Sequence, residues 1–508
     1  MDSHSWHYYY NCNIMSRKIG IWGILAIIIF AFLFLVCAPG FAALKPPLNT
    51  PEYHLQVSFD IPQKKIRGRA TILATSGRKL IIDPGELRIL ELKNNGKKVT
   101  LERRQAGEEI VLVPRGLVEV SYEAALEKTD RNIIDDRDVI LLGMWYPQVK
   151  GFCRFNLAAT LPAGYLAVSE ANHITQNDKG GEVEFVFDFP DPREESDGVN
   201  FIASKQWIVS KETFRNIDLV TYLFPEEAHL ASRYLERTRQ TLANYEQLLG
   251  PFPYRRLAIV ENSHDKTRAM PSAILIDKKV LQQSEVERTP LDHEIVHQWF
   301  GCAVTSDYDR GNWCEGMASY FADHLRQEDQ DYIQLRQRRI LSCFQGIMQW
   351  HREFPLRSFQ QRFDDASRAV GYCKGAMVIH MLRRQVGDQT FYEAIKRFFQ
   401  ANRFAVASWD DLQKSFEAQS QQDLAWFFRQ WVEDIGQPRI RIDKAILQKA
   451  DQGFKANLAL SQEGQVKRLS LPVRFTGPQG SRSFTVDLNR GKANFSFRLD
   501  FQPLNEPI

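Results

Sequence analysis

Apolar and polar residues alternate along the first part of the chain. Tyr53-His54-Leu55-Gln56-Val57-Ser58-Phe59-Asp60-Ile61 switches at every position, the pattern of a strand with one buried face. Ile66 to Ala74 and Val183 to Phe189 repeat it, so residues 48–215 read as an N-terminal β domain. From Glu226 to Leu249 the period becomes helical, and Gly250-Pro251 ends the helix. A short strand is expected over Arg256 to Val260, another apolar strand over Ser272 to Ile276, and helix-rich stretches over Phe391 to Phe404 and Trp409 to Trp431. Residues 216–438 therefore read as a second, mostly helical domain. Strand patterns return at Phe454 to Leu460, Leu469 to Phe475, Phe484 to Leu488 and Phe495 to Phe501, which suits a small C-terminal β-sandwich over 439–508. The fold class expected is multidomain α+β.

A chain of 508 residues is too long for one core, which agrees with several domains. The formal charge of +3 gives no nucleic-acid footprint. Ile19 to Val36 is apolar and uncharged, preceded by Arg17-Lys18 and followed by the small residues around Ala38 to Ala43. Residues 1–43 are thus expected to act as a signal peptide or membrane anchor. The rest of the chain would then face an extracytoplasmic space, either secreted/periplasmic or membrane-anchored. Met15-Ser16-Arg17-Lys18 is a more ordinary start for such a leader than Met1. Of seven cysteines, five lie beyond the leader, and no C-x-x-C pair suggests a cysteine metal site. Cys302 and Cys314 could form a disulfide or remain buried thiols.

The strongest chemical signal is His293-Glu294-Ile295-Val296-His297. Two imidazoles four positions apart share one helix face and can hold one metal ion, with Glu294 beside them as a general base. Pro290 and Asp292 suit a helix start, and Gly301 a helix end. A catalytic zinc needs a third protein ligand and one open position. Glu315, in Trp313-Cys314-Glu315-Gly316-Met317-Ala318, is the expected third ligand, giving one zinc ion on His293, His297 and Glu315. The expected reaction is attack of an activated water on a peptide carbonyl. Peptides or proteins are the expected substrates, and no partner protein is identifiable.

These segments resemble the aminopeptidase-N family of zinc peptidases, the gluzincins. The match covers residues 48 to 440, strongly at the metal site and loosely elsewhere. Its second helix carries the third ligand in a W-x-x-E-G-x-A context, with one more residue between second histidine and glutamate than here. The resemblance implies a saddle-like N-terminal β domain and a thermolysin-like catalytic domain. Gly371-Tyr372-Cys373-Lys374-Gly375-Ala376 is similar to the family's Y-x-K-G-A segment, which implies that Tyr372 hydrogen-bonds the oxyanion. Trp431 to Pro438 resembles the segment closing the family's catalytic domain. One stretch departs. The family's G-x-M-E-N glutamate binds a substrate's free amino terminus, whereas this chain reads Arg268-Ala269-Met270-Pro271-Ser272. Ala269, Met270, Pro271 and Ser272 remain the expected substrate-binding segment, without the amine partner. The rival expectation is an inactive, peptide-binding envelope protein that keeps the fold.

Overall fold

A computed structural model describes residues 50–504 except 75–76, 102–107, 127, 130, 190–191, 193–197, 264–266, 285, 287–288, 325–352 and 479, and except the side chains of 323–324. The expected leader, with Cys12 and Cys37, lies outside the described residues, as does Cys343. Among the described residues no helix is long and apolar enough to cross a membrane.

The predicted alternation appears as Glu52–Asp60, in which Tyr53, Leu55, Val57 and Phe59 point inward. This strand pairs antiparallel with Lys65–Leu73 and parallel with Arg154–Pro162, near the centre of an eight-stranded sheet. A four-stranded sheet follows in the order Leu166–Ser169, Phe201–Ser204, Asp138–Leu141, Asn132–Ile134. It is buried on both faces because it separates two cores. Val139, Leu141, Phe201 and Ala203 pack towards the large sheet, while Ile140, Val168 and Ile202 pack against Val260, Met270 and Leu275.

Those last residues belong to a five-stranded sheet ordered Ile208–Phe214, Ile217–Leu223, Arg256–Asn262, Ala273–Asp277, Arg268–Met270. Its opposite face, with Leu219, Leu257, Ile259, Ile274 and Ile276, meets the helices. The first is Ala231–Leu249, which buries Tyr234, Leu235, Thr238, Thr241, Leu242, Tyr245 and Leu249 at helical spacing. Its regular turns begin five residues later than the pattern suggested, after a 3-10 turn over Ala228–Leu230. Gly250, at φ 101°, stops it as expected.

The tail contains Arg439–Lys449, Phe454–Glu463 and Lys492–Leu499 in one sheet, and Leu469–Gly477 with Gly480–Leu488 in a hairpin. Phe475, Phe484 and Phe497 pack ring against ring between them, at centroid separations of 4.9–6.0 Å. Arg439–Lys449 has no counterpart in the sequence expectation. It lies at a sheet edge and exposes Ile440 and Ile442, so no buried face imprints a period on it.

One buried carboxyl gives the fold a pH dependence. Glu261, the last residue but one of the central strand Arg256–Asn262, has no solvent exposure. Its Oε2 accepts the Phe224 N–H at 2.7 Å, and its Oε1 has no hydrogen-bond partner. Glu227 beside it is engaged by Gln282 and Lys278. Burial, only partly offset by the Phe224 N–H and reinforced by Glu227, pushes the Glu261 carboxyl up to about 7. A folded-state value above the unfolded one means the fold favours the proton. Its contribution to stability is therefore lost as pH rises from the usual carboxylate range through about 7. Glu261→Gln should gain thermal stability relative to wild type on going from pH 5 to pH 8. A difference in melting temperature that does not change with pH would contradict this.

Candidate metal centre and active site

The helix Leu291–His297 is held at both ends by buried polar groups. Asp292, next to His293, accepts Nε of Arg237 at 3.0 Å and the Thr241 hydroxyl at 3.0 Å, and is also gripped by Arg237 Nη2. That ties the short helix to Ala231–Leu249 through a charge-assisted fork. At the other end Gln298 is fully buried. Its Oε1 accepts the Ser272 N–H at 2.9 Å, and its Nε2 donates to the Met270 carbonyl at 3.0 Å. The helix is thereby joined to the edge hairpin of the five-stranded sheet.

His293 and His297 then project from one face. Their Nε2 atoms are 3.1 Å apart, and each is 3.3 Å from Oε2 of Glu315. Two ligands on a tetrahedral ion with bonds of about 2.05 Å stand about 3.3 Å apart, so the three atoms fit the corners of one zinc site. They form a potential metal-holding cluster among the described residues. Nδ1 of His297 donates to the Phe300 carbonyl at 2.9 Å, which leaves Nε2 as the ligand lone pair when the ring is neutral. Gly301 closes the turn at φ 123°, where a Cβ would also stand 3.1 Å from that Nδ1.

Glu315 arrives on a second short helix, Cys314–Ser319. Asn312 organises its start. The Asn312 Oδ1 accepts the Cys314 N–H at 3.0 Å, while its Nδ2 donates to the Gln360 carbonyl at 2.9 Å. Gly316 next to the ligand lies directly on Gly375, and a Cβ on either would come within 3 Å of the other's backbone. The two glycines, 59 positions apart in the sequence, bring the Glu315 helix against the segment that carries Tyr372. Gly316→Ala should force these helices apart and cost about 1–3 kcal/mol, the usual range for overpacking. Chemical denaturation checks the cost; an unchanged midpoint would mean the crossing relaxes freely.

Tyr372 sits in a π-helical turn, Ala369–Lys374, a distortion frequent at functional sites. Its ring stacks on His293, with centroids 6.0 Å apart and planes 7° from parallel, and meets the edge of Phe359 at 6.2 Å. The hydroxyl lies within the electrostatic influence of the Glu315 carboxylate. Burial, then the charge of Glu315, pushes its ionisation far upward, so it remains a protonated donor. Glu294 is buried, and its carboxylate has no hydrogen-bond partner among the described residues.

Charges in the cluster are strongly coupled. Burial disfavours charge on His297, but Glu315, with support from Glu294, outweighs it and raises the imidazole to about 9. Burial likewise opposes charge on Glu315, but His297 and His293 hold it well below the usual carboxylate range. His297 and Glu315 thus favour an imidazolium–carboxylate pair, and a cation held by the same atoms would take the place of the proton.

The expected substrate-binding segment lies on the edge strand Arg268–Met270 and the turn after it. Met270 and Ser272 are buried, and Ala269 and Pro271 half-buried. Ser272 adopts φ 61° and is clamped by Gln298. Cys302 and Cys314 are thiols rather than a disulfide, and Cys314 Sγ lies 2.9 Å from the Ser306 hydroxyl. Cys373 is disulfide-bonded. Sequence reasoning placed the metal triad, Glu294 and Tyr372 together, as the structure does. It missed Gln298 and Asn312, whose only signal was their position beside the motif and beside Trp313.

Residues 242–431 match the Peptidase family M1 domain. Aminopeptidase 2, mitochondrial, of Saccharomyces cerevisiae is 23% identical over 265 residues, covering 48% of this chain and 28% of the relative. Probable aminopeptidase 1 of Sulfurisphaera tokodaii is 20% identical over 492 residues, covering 88% and 61%. The chain thus spans between about a quarter and three-fifths of the length of these relatives. The crystal structure of Legionella pneumophila aminopeptidase A in complex with aspartic acid superimposes with a TM-score of 0.70 at 15% identity, over 90% of this chain and 57% of that one. At that identity the likeness speaks for the fold alone.

Proposed function

We propose that the chain belongs to the aminopeptidase-N-like M1 peptidases and hydrolyses peptide bonds with one zinc ion held by His293, His297 and Glu315. The carrying observation is the triangle of ligand atoms, 3.1, 3.3 and 3.3 Å on its sides, with the Tyr372 ring stacked on His293 beside it. When bound, zinc supplies a Lewis acid that lowers the pKa of water towards about 7. Glu294, whose carboxylate has no other hydrogen bond among the described residues, takes the proton of the attacking water and passes it to the leaving nitrogen. The Tyr372 hydroxyl donates to the oxygen that gains charge at the scissile carbonyl. The free side of the edge strand Arg268–Met270 pairs with the substrate main chain.

Pro271 stands where the family places its amine-binding carboxylate, and Arg268 adds a positive charge to the same strand. Cleavage is therefore expected not to require a free amino terminus. The test is product mapping by mass spectrometry on peptides with free and acetylated N-termini, before and after chelation and zinc return. Chelator-sensitive cleavage of both kinds is expected. Cleavage restricted to free N-termini would restore strict aminopeptidase action; binding without cleavage would favour the inactive peptide-binding protein. An extracytoplasmic location, secreted/periplasmic or membrane-anchored, is part of this proposal and rests on residues 17–43 alone.

A further inference from the structure

Between Phe359 and Ser367 the chain makes a short protrusion beside Tyr372. It is pinned on both sides. Upstream, Asn312 donates to the Gln360 carbonyl at 2.9 Å and its own N–H reaches the Phe359 carbonyl at 2.6 Å. The Phe359 ring also fills the space that a side chain at Gly371 would need. Downstream, Asp364 and Ser367 form a reciprocal helix cap, and the Phe363 N–H donates to the Ser367 hydroxyl at 2.8 Å. Held between these anchors are Arg362 and Phe363. Phe363 is 74% exposed, the highest value for a large apolar side chain among the described residues. Arg362 is exposed and has no hydrogen bond or ion pair among them.

Several arginines around the catalytic helices are neutralised, among them Arg237 by Asp292, Arg357 by Asp410 and Glu433, and Arg383 by Asp388. Arg362, like Arg368 and Arg384, has no such partner among the described residues, and it lies near enough to Tyr372 for its charge to act on the hydroxyl. Arg268 on the edge strand is likewise exposed and unpaired. A rigid mount that presents an unpaired guanidinium and a bare ring beside an oxyanion donor is suited to a group both anionic and partly apolar.

Resting on the peptidase reading above, we propose that Arg362 and Phe363 form a specificity subsite that recognises a carboxylate of the peptide substrate close to the scissile bond. Arg362 would grip the carboxylate as a fork, and Phe363 would cover the adjoining methylenes. The carboxylate could be an Asp or Glu side chain or the chain terminus, and the substrate set separates them. Matched peptides carry Asp or Asn at successive positions, each with an acid or an amide C-terminus. In the zinc-loaded full chain, kcat/KM should favour the carboxylate form about fivefold to tenfold at one register, the net scale of one hydrogen bond at a solvent-exposed site. Preference that follows the scanned residue identifies a side chain; preference that follows the acid terminus identifies the C-terminus. Arg362→Ala should bring the acid-to-amide ratio towards one, chiefly through KM, and Arg362→Lys should restore part of it.

A ratio near one in the wild type, or the same ratio in Arg362→Ala, overturns the proposal. The same peptides are also titrated, by fluorescence anisotropy, into the Glu294→Gln protein with and without Arg362→Ala. Selective binding of carboxylate forms that depends on Arg362, in a protein whose wild type cleaves nothing, would retain the subsite and refute the peptidase reading. Unselective binding with no cleavage would refute both.

Discussion

Glu294→Gln should lower turnover by about a hundredfold to ten-thousandfold, the range general-base catalysis covers, while zinc content stays at one ion per chain. Glutamine has the same shape and cannot take a proton. The expected loss is confined to chemistry because the native carboxylate makes no hydrogen bond that the change would break among the described residues. The ligand atoms on His293, His297 and Glu315 are not touched. His297 keeps its Phe300 partner, so its orientation is retained as well. Steady-state kinetics beside elemental analysis decides the matter. A variant with wild-type turnover would move the base elsewhere, and one that loses zinc would show that Glu294 helps to hold the ion.

Much of this site is legible because its parts are local. A helix face is set by a spacing of four, and a helix end by proline and glycine, so His293, Glu294 and His297 need no tertiary information. The same is true of Glu52–Asp60, where one face is buried and alternation follows. Arg439–Lys449 shows the converse: with nearly its whole length exposed, it carries no period to read. The contacts that assemble the site are of another kind. Gly316 meets Gly375, Asn312 meets Gln360, and Gln298 meets Ser272, each across a long chain separation, and none leaves a local pattern. The resemblance to a known family supplied Tyr372, since a lone tyrosine ahead of a helix reads as packing. Its π-helical setting could not be anticipated, because no spacing of apolar residues marks such a turn, and the ring contacts with His293 and Phe359 that accompany it are made across the fold.

Tyr372→Phe should reduce kcat by about a hundredfold to a thousandfold, the loss expected from one oxyanion donor. The effect should fall on kcat more than on KM, because charge on the carbonyl oxygen develops only as the bond forms. Phenylalanine keeps the stack on His293 and the edge contact with Phe359, so the fold and the metal triangle should survive. Only the hydroxyl is lost. Because burial and Glu315 hold that hydroxyl protonated, the wild type should show no activity change assignable to Tyr372 ionisation across the neutral range. The contrast with Tyr372→Ala is informative, since alanine also removes the ring and should lower thermal stability, which phenylalanine should not. If Tyr372→Phe retains full kcat with zinc in place, the tyrosine is a packing residue and another donor must face the carbonyl oxygen.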